Sequence, residues 1–285
     1  MFLTRYGVSA CGLGLAATIV LLPSSDAFAA GNVSVSVDGR DNLVVTGDGL
    51  ANDITINDTA TSGVFLVTGN DGTTINGGAS DEVGVADRDF IIELGGGSDN
   101  LEIVGVDLLK KLNVSVNLKI TDDAGDNTIL IDTVLVSKRV KIILGDGANT
   151  VDIVDSDLTK NSKIQTGDGI DTITIDGGSF RGGIKTNDSN DVITVMNTGQ
   201  FKNVLKIISG NDDDSIEVTN VEYERKVLVN AGPGFDTVTI GQIDVGKKAR
   251  MIGGPNDDTL IDNGGHASTP GTVQPENKQF EIFGP

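Results

Sequence analysis

The residues with the clearest capacity for chemistry are acidic and amide side chains that recur along the chain at a nearly constant interval. Most of them precede two apolar residues separated by a polar one, and we call the place of each the zero position. Successive zero positions are 28, 22, 22, 20, 23, 22 and 22 residues apart. The formal net charge is −20, and divalent cations are natural counterions for so acidic a chain. The zero positions are Asp99, Asn127, Asn149, Asp171, Asp191, Asp214, Asp236 and Asp258.

A glycine-rich turn stands before most zero positions, as in Gly167-Asp-Gly-Ile-Asp171 and Gly232-Pro-Gly-Phe-Asp236. With the Asp that follows, these turns resemble hemolysin-type (RTX) calcium-binding repeats, whose nonapeptide reads G-G-x-G-x-D-x-U-x. In that family the turn carbonyls and the Asp carboxylate coordinate calcium, which takes six to eight oxygens. The resemblance implies calcium as a cofactor. The ligands it implies are Asp146, Asp168, Asp171, Asp191, Asp212, Asp214, Asp236 and Asp258.

The match to the calcium-binding repeats is partial. This chain has one glycine turn in each repeat of about 22 residues, whereas the family has a turn on each side of a shorter coil. Asn127 and Asn149 stand where the family has an Asp ligand. The alternative is an Asn/Asp ladder without metal, in which stacked side chains form hydrogen bonds along the repeat and satisfy backbone groups.

Basic residues form a second periodic set, mostly 10 to 12 residues after the zero positions. Lys141, Lys163, Lys185 and Arg250 follow a few residues later. One interpretation is that these cations keep the repeats soluble and prevent unwanted strand pairing. The other is a basic ladder that binds an acidic polysaccharide or the acidic corner of a neighbouring molecule. The predicted partner-binding residues are Lys110, Lys111, Lys138, Arg139, Lys160, Arg181, Arg225, Lys226, Lys247 and Lys248.

The elements that position these residues are predicted to be short strands. Ile173 and Ile175 follow Asp171 in strand alternation, Phe180 is a second apolar position, and Ile184 with Thr186 forms a third. Three such segments in each repeat indicate an all-β fold. We expect a right-handed parallel β-helix of roughly ten coils with three short strands per coil, its hand taken from the rule for parallel crossovers.

The ends of the chain differ from the regular repeats. Residues 1–29 read as a secretory signal peptide with an Ala27-Phe-Ala29 cleavage site. Residues 30–98 are predicted to form an N-terminal cap with irregular first coils, residues 99–262 the regular coils, and residues 263–285 a tail with a closing strand. These features predict a secreted protein at the cell surface, in the medium or in the periplasm, with no membrane span after signal cleavage.

Catalysis has little support in the sequence. The single histidine, His266, lies in a Gly/Ser/Pro-rich tail, and no nucleophile elbow or HExxH motif is present. The negative charge opposes binding to nucleic acid. We expect a non-catalytic structural or adhesive surface module, stabilised by calcium, whose partner is an extracellular polysaccharide, a surface protein or a second copy of itself. The enzymatic alternative is a calcium-dependent polysaccharide lyase.

Overall fold

The computed structural model describes residues 30–84, 89–106, 111–199, 204–246, 248–265, 272–275 and 280–283. All of its regular elements are strands, so the described part contains no helix that could cross a membrane. In chain order the strands are β1 Asn32–Val37, β2 Leu43–Thr46, β3 Asp53–Asp58, β4 Val64–Gly69, β5 Thr74–Ile75, β6 Ser80–Gly84, β7 Phe90–Glu93, β8 Asn100–Val104, β9 Leu112–Val114, β10 Leu118–Thr121, β11 Thr128–Asp132, β12 Val134–Ile143, β13 Thr150–Val154, β14 Asp157–Gln165, β15 Thr172–Asp176, β16 Ser179–Lys185, β17 Val192–Met196, β18 Val204–Ile208, β19 Ser215–Tyr223, β20 Lys226–Asn230, β21 Thr237–Val245, β22 Lys248–Ile252, β23 Asp258–Asp262, β24 Thr272–Pro275 and β25 Phe280–Phe283.

The strands form two long sheets that face each other across one core. Sheet 1 has the order β25-β23-β21-β19-β17-β15-β13-β11-β8-β3-β4-β6, and sheet 2 has the order β24-β22-β20-β18-β16-β14-β12-β10-β7-β2-β1-β5, with β9 beside β12. From β8 to β25 each strand pairs in parallel with the equivalent strand of the next coil. The protein is therefore a parallel β-solenoid, which confirms the predicted fold class.

Two details of the prediction need correction. The solenoid has about seven turns, fewer than the predicted ten, because β4 and β6 fold back as antiparallel strands instead of forming coils. The second predicted strand is also not a separate sheet. In β12 and β14 it is the first part of a sheet 2 strand, whereas in β19 and β21 it is the last part of a sheet 1 strand. The sequence pattern missed this because inward alternation alone does not specify where the chain bends.

The core is a stack of equivalent apolar side chains. In sheet 1, Ile129, Val151 and Ile173 are paired in successive coils and fully buried. Phe180 and Tyr223 also lie in the core, and both are fully buried. Each such side chain contributes roughly 1.5–3 kcal/mol through burial, so like residues stacked on like residues stabilise every coil in the same way.

A corner six residues after each zero position uses left-handed backbone in seven successive coils. The φ angles run from 45° at Asp155 to 74° at Gly177. Asn and Asp tolerate this region better than other non-glycine residues, because their short polar side chains bond to nearby backbone. The sequence analysis did not identify this corner, since no single residue type marks it. Its members are Thr133, Asp155, Gly177, Asn197, Asn220, Gln242 and Gly264.

The N-terminal strands close one end of the solenoid. Strand β1 runs antiparallel to β2, and β4 runs antiparallel to both β3 and β6. Extra strands that change direction at the end of a stack cover the parallel edge, which would otherwise be open to pairing with other chains. The predicted signal peptide, His266, Lys110 and Lys247 lie outside the described residues.

Candidate functional site: a buried Asn/Asp ladder between charged surfaces

The zero-position side chains form one continuous ladder along the inside of the glycine corner. All are at most 2% exposed. From Asp99 onward, the side-chain Oδ1 in each coil accepts a hydrogen bond from the backbone N–H of the equivalent residue in the preceding coil, at 2.7 to 3.4 Å. We call this row the Asx ladder. Its members are Asn52, Asp99, Asn127, Asn149, Asp171, Asp191, Asp214, Asp236 and Asp258.

The amide members of the Asx ladder use their second polar atom, whereas the acidic members do not. Asn149 Nδ2 donates to the Gly147 carbonyl at 2.9 Å and to Asp171 Oδ1 at 3.0 Å. Asn127 Nδ2 donates to the Gly125 carbonyl at 3.0 Å. At the acidic members, including Asp171, the Oδ2 atom is buried without a hydrogen-bond partner. A carboxylate can only accept hydrogen bonds, so it cannot bond to the turn carbonyl that the amide satisfies.

Burial raises the pKa of every carboxyl in the Asx ladder above its ordinary value. The pKa reaches about 7 at Asp99 and Asp214 and about 6 at Asp191 and Asp236. Loss of water around the charged form is the largest cause, and neighbouring carboxylates add to it. Backbone N–H donors act in the opposite direction, because they favour the charged form. Several of these carboxyls are consequently partly protonated near neutral pH.

A second carboxyl enters the corner at Asp122, which is 6% exposed. Its Oδ2 accepts a hydrogen bond from Asn127 Nδ2 at 2.8 Å. The Oδ1 of Asp122 and the Oδ2 of Asp99 are buried without a hydrogen-bond partner. Burial raises the pKa of Asp122, and the Asp122 carboxyl contributes to the raised pKa of Asp99. These two carboxyls therefore form a pair that is most stable when it shares one proton.

The predicted calcium ligands separate into two groups in the structure. Asp171, Asp191, Asp214, Asp236 and Asp258 lie in the Asx ladder, with Oδ1 occupied by backbone N–H groups. The other three, Asp146, Asp168 and Asp212, are exposed on the outside of the turns.

The two groups of predicted calcium ligands do not form a metal centre among the described residues. No group of three or more His, Cys, Asp or Glu that could hold a metal ion occurs there. The Asx ladder offers one unpartnered carboxylate oxygen per acidic coil, far from the six to eight oxygens that calcium requires. The residues therefore fit the metal-free ladder better than they fit the calcium set, and calcium remains a prediction.

Glycines let the turns of neighbouring coils approach closely enough for the Asx ladder to form. Gly147 has a φ of +126°, and a Cβ there would lie 2.3 Å from the carbonyl oxygen of Gly125 in the preceding coil. Gly253 makes room in a different way, since a Cβ there would lie 2.1 Å from Asp258 Oδ2. The glycine pattern thus reflects coil stacking at this corner.

Exposed acidic side chains form a ridge on the outside of the same turns. Asp168 N–H donates to Asp146 Oδ1 at 3.0 Å, and Gly169 N–H donates to the backbone oxygen of Asp188, which places the three aspartates in consecutive coils. We call Asp146, Asp168 and Asp188 the acidic ridge. Because coils are about 4.8 Å apart, these three exposed carboxylates repel one another, and no lysine or arginine among the described residues forms an ion pair with them.

The outer surface of sheet 2 carries a row of cations. Register pairs Lys119 with Lys141 and Lys141 with Lys163. The row continues through Gly183, Lys206 and Leu228 to Arg250. Lys119 forms an ion pair with Glu93 at 2.8 Å, whereas the exposed Lys141, Lys163 and Lys206 form no ion pair within the described part of the chain. We call Lys119, Lys141, Lys163, Lys206 and Arg250 the basic row.

The sequence analysis found only part of the basic row. It placed Lys185 there, but Lys163 pairs with Gly183, and Lys185 pairs with Gln165. It missed Lys119 and Lys206, because the 28-residue and 23-residue repeats shift these residues relative to the zero position. Aligning the repeats from the strand of sheet 2 instead would have revealed both lysines.

The predicted basic corner forms two clusters among the described residues. Arg139 lies beside Lys160 in the first cluster, next to Lys138. Lys226 lies beside Lys248 in the second, next to Arg225. Arg181 lies between the clusters and is half-buried.

The Lys111 ammonium group has two oxygen partners within the chain. It donates to the Asp155 carbonyl at 2.6 Å and pairs with Asp157 at 2.9 Å.

The fold and this arrangement define the chain as a parallel β-solenoid with a buried polar ladder and separate acidic and basic surfaces. It matches no protein-family model, and no curated protein or solved structure is significantly similar to it. The resemblance to hemolysin-type repeats consequently depends on the turn motifs alone.

Proposed function

We propose that this protein is a non-catalytic, secreted surface module that acts structurally or adhesively through its long ordered faces. The basic row carries this proposal, because it places exposed cations at the coil interval on a flat sheet surface. A rigid row of this kind suits an extended partner with repeated charges. The ladder inside the corner supports the same role, since it joins successive coils and stiffens the rod.

A second candidate function is recognition of an acidic polysaccharide, and the unpaired Lys141, Lys163 and Lys206 favour it. A linear polymer with one carboxylate per sugar would present anions at an interval similar to the coil spacing. Binding of this type is weakened steeply by salt, because the charges are exposed and screened.

The test measures binding and chemistry on the same samples. Purified protein is passed over immobilised acidic and neutral polysaccharides, and the supernatants are assayed for unsaturated sugar products with and without calcium. We expect retention without product. Release of unsaturated products would instead support the calcium-dependent lyase, and failure to bind any surface or polymer would refute the adhesive function.

The turn motifs further support a proposal that calcium stabilises the protein. The exposed Asp146, Asp168 and Asp212, together with turn carbonyls, are the oxygens that remain accessible to an ion. Calcium titration calorimetry on chelator-treated protein, with a triple Asp→Asn variant of these residues as control, tests the proposal. Heat that persists in the variant would reject these ligands.

A further inference from the structure

We propose that the basic row of one copy of this protein docks against the acidic ridge of a second copy, so that solenoids associate side by side. The inference rests on the proposed function, because it names the partner of the same charged surface. It commits to a second copy of the chain as the occupant.

Three lysines of the basic row and the carboxylates of the acidic ridge have no ion-pair partner among the described residues. Lys141, Lys163 and Lys206 are exposed and form no ion pair in the described part of the chain. Asp146 and Asp168 are also exposed, and the Asp146 carboxylate accepts a hydrogen bond from the backbone N–H of Asp168. Like charges held about 4.8 Å apart on a rigid strand stack cannot move away from one another, so opposite charges from outside relieve both rows.

The spacing of the two rows also favours contact between two copies of the chain. Lys141 and Lys163 occupy two consecutive coils, and Lys206 lies two coils further along. The three aspartates of the acidic ridge occupy three consecutive coils. Both rows have the rise of the same coil, so when one cation meets one carboxylate the neighbouring pairs are aligned as well. Several weak pairs formed together give measurable association even though each exposed pair is weak.

The positions of the two surfaces determine the form of the assembly. The basic row lies on sheet 2, whereas the acidic ridge lies on the turns before sheet 1, so the two surfaces of one molecule are different. A contact between different surfaces is heterologous, and it leaves a free basic row and a free acidic ridge at the two sides of every pair. Association should therefore continue beyond the dimer as concentration rises.

The experiment compares charge-reversed variants by sedimentation velocity at low and high salt. The basic-row variant is Lys141→Glu/Lys163→Glu/Lys206→Glu, and the ridge variant is Asp146→Lys/Asp168→Lys/Asp188→Lys. All six side chains are exposed, and melting curves establish that each variant is folded. Lys141→Arg/Lys163→Arg/Lys206→Arg keeps the charge and serves as the matched control. Reversal of the outward-facing Glu102, Asp152 and Glu217 on sheet 1 controls for the net charge of the ridge variant.

We expect the wild-type protein and both controls to associate at low salt and to dissociate at about ten times that ionic strength. Each reversed variant should be monomeric alone, and an equimolar mixture of the two should associate, because each supplies the surface that the other lacks. A wild-type protein that stays monomeric at low salt would overturn the inference, as would variants that associate as the wild type does. Binding of a monomeric wild type to polygalacturonate through Lys141, Lys163 and Lys206 would overturn self-association while supporting the polysaccharide alternative of the proposed function.

Discussion

The substitution Asp171→Asn is expected to stabilise the protein at neutral and alkaline pH. Asp171 shares its turn sequence, Gly-Asp-Gly, with the preceding coil, where Asn149 already occupies the zero position. The φ angles of Gly147 and Gly169 agree, at +126° and +128°. An amide at position 171 keeps the Oδ1 acceptor and adds an Nδ2 donor that can reach the Gly169 carbonyl, as Asn149 reaches Gly147. It also removes a charge from a fully buried site.

The size of the effect follows from the unpartnered Oδ2 atom. A buried polar group without a partner costs about 1–3 kcal/mol, so the free energy of unfolding should rise by about that amount at pH 8. For a chain of this size, Tm should rise by roughly 2–4 °C for each kcal/mol. The reciprocal change, Asn149→Asp, should lower Tm at pH 8, because it removes amide donors and adds a carboxylate next to Asp171.

The pH dependence gives the prediction a definite sign. Burial raises the folded-state pKa of Asp171 above its ordinary value of 3.8, so the folded state binds more protons than the unfolded state between these two values. The stability that this carboxyl contributes is present below about pH 3.8 and is lost as the pH rises through the raised folded pKa. The difference between Asp171→Asn and the wild type should therefore be small at pH 4 and reach its maximum at pH 8.

Thermal melts followed by circular dichroism at pH 4, 6 and 8 test this reasoning. The control is Asp152→Asn, a carboxylate on the outer face of β13, which should change the unfolding free energy by less than about 0.5 kcal/mol. A lower Tm for Asp171→Asn at pH 8 would refute the metal-free ladder at this coil. That result would mean that Oδ2 has a partner that the amide cannot replace, either a cation or the Thr166 hydroxyl, whose hydrogen bond favours the charged carboxyl.

Three further perturbations test other parts of the structure. Gly147→Ala should destabilise the protein by at least about 1–3 kcal/mol, because the new Cβ meets the Gly125 carbonyl at 2.3 Å, whereas Gly39→Ala, with open space around it, should have little effect in the same urea titration. Asp122→Asn should raise Tm at pH 8 but not at pH 4, since a permanent donor to Asp99 replaces a shared proton; equal shifts at both pH values would argue against a proton-sharing pair. Chelation should lower Tm and added calcium should restore it, as the calcium proposal requires; an unchanged Tm would mean that the ladder supports the corner without metal.

Much of the fold could be predicted from the sequence because every repeat contains the same local pattern of apolar and polar residues. Alternation at Ile173 and Ile175 marks a strand with one buried face, and its recurrence about every 22 residues marks a coil. Side chains in a solenoid contact mainly their counterparts one coil away, so the period in the sequence corresponds directly to the period in space. The zero positions were therefore identified correctly as one row.

Which acidic side chains of the turns point inward and which are exposed depends on the tertiary structure. Asp168 and Asp171 are acidic residues of the same glycine turn, yet Asp171 is buried against the backbone of the preceding coil and Asp168 is exposed. The difference depends on how closely two coils approach, which a single repeat does not encode.

The membership of the basic row likewise depends on strand pairing between neighbouring coils. Lys206 belongs to it because β18 pairs in register with β16 and β20, although its repeat is 23 residues long. The position of an extra residue depends on the turn geometry and on the neighbouring coil. Spacing in the sequence alone therefore could not assign Lys206 to the basic row. The period of the chain therefore came from the sequence. The inward orientation of the ladder, the alignment of the cations and the antiparallel N-terminal strands came from contacts between coils, because each depends on residues far apart in the chain.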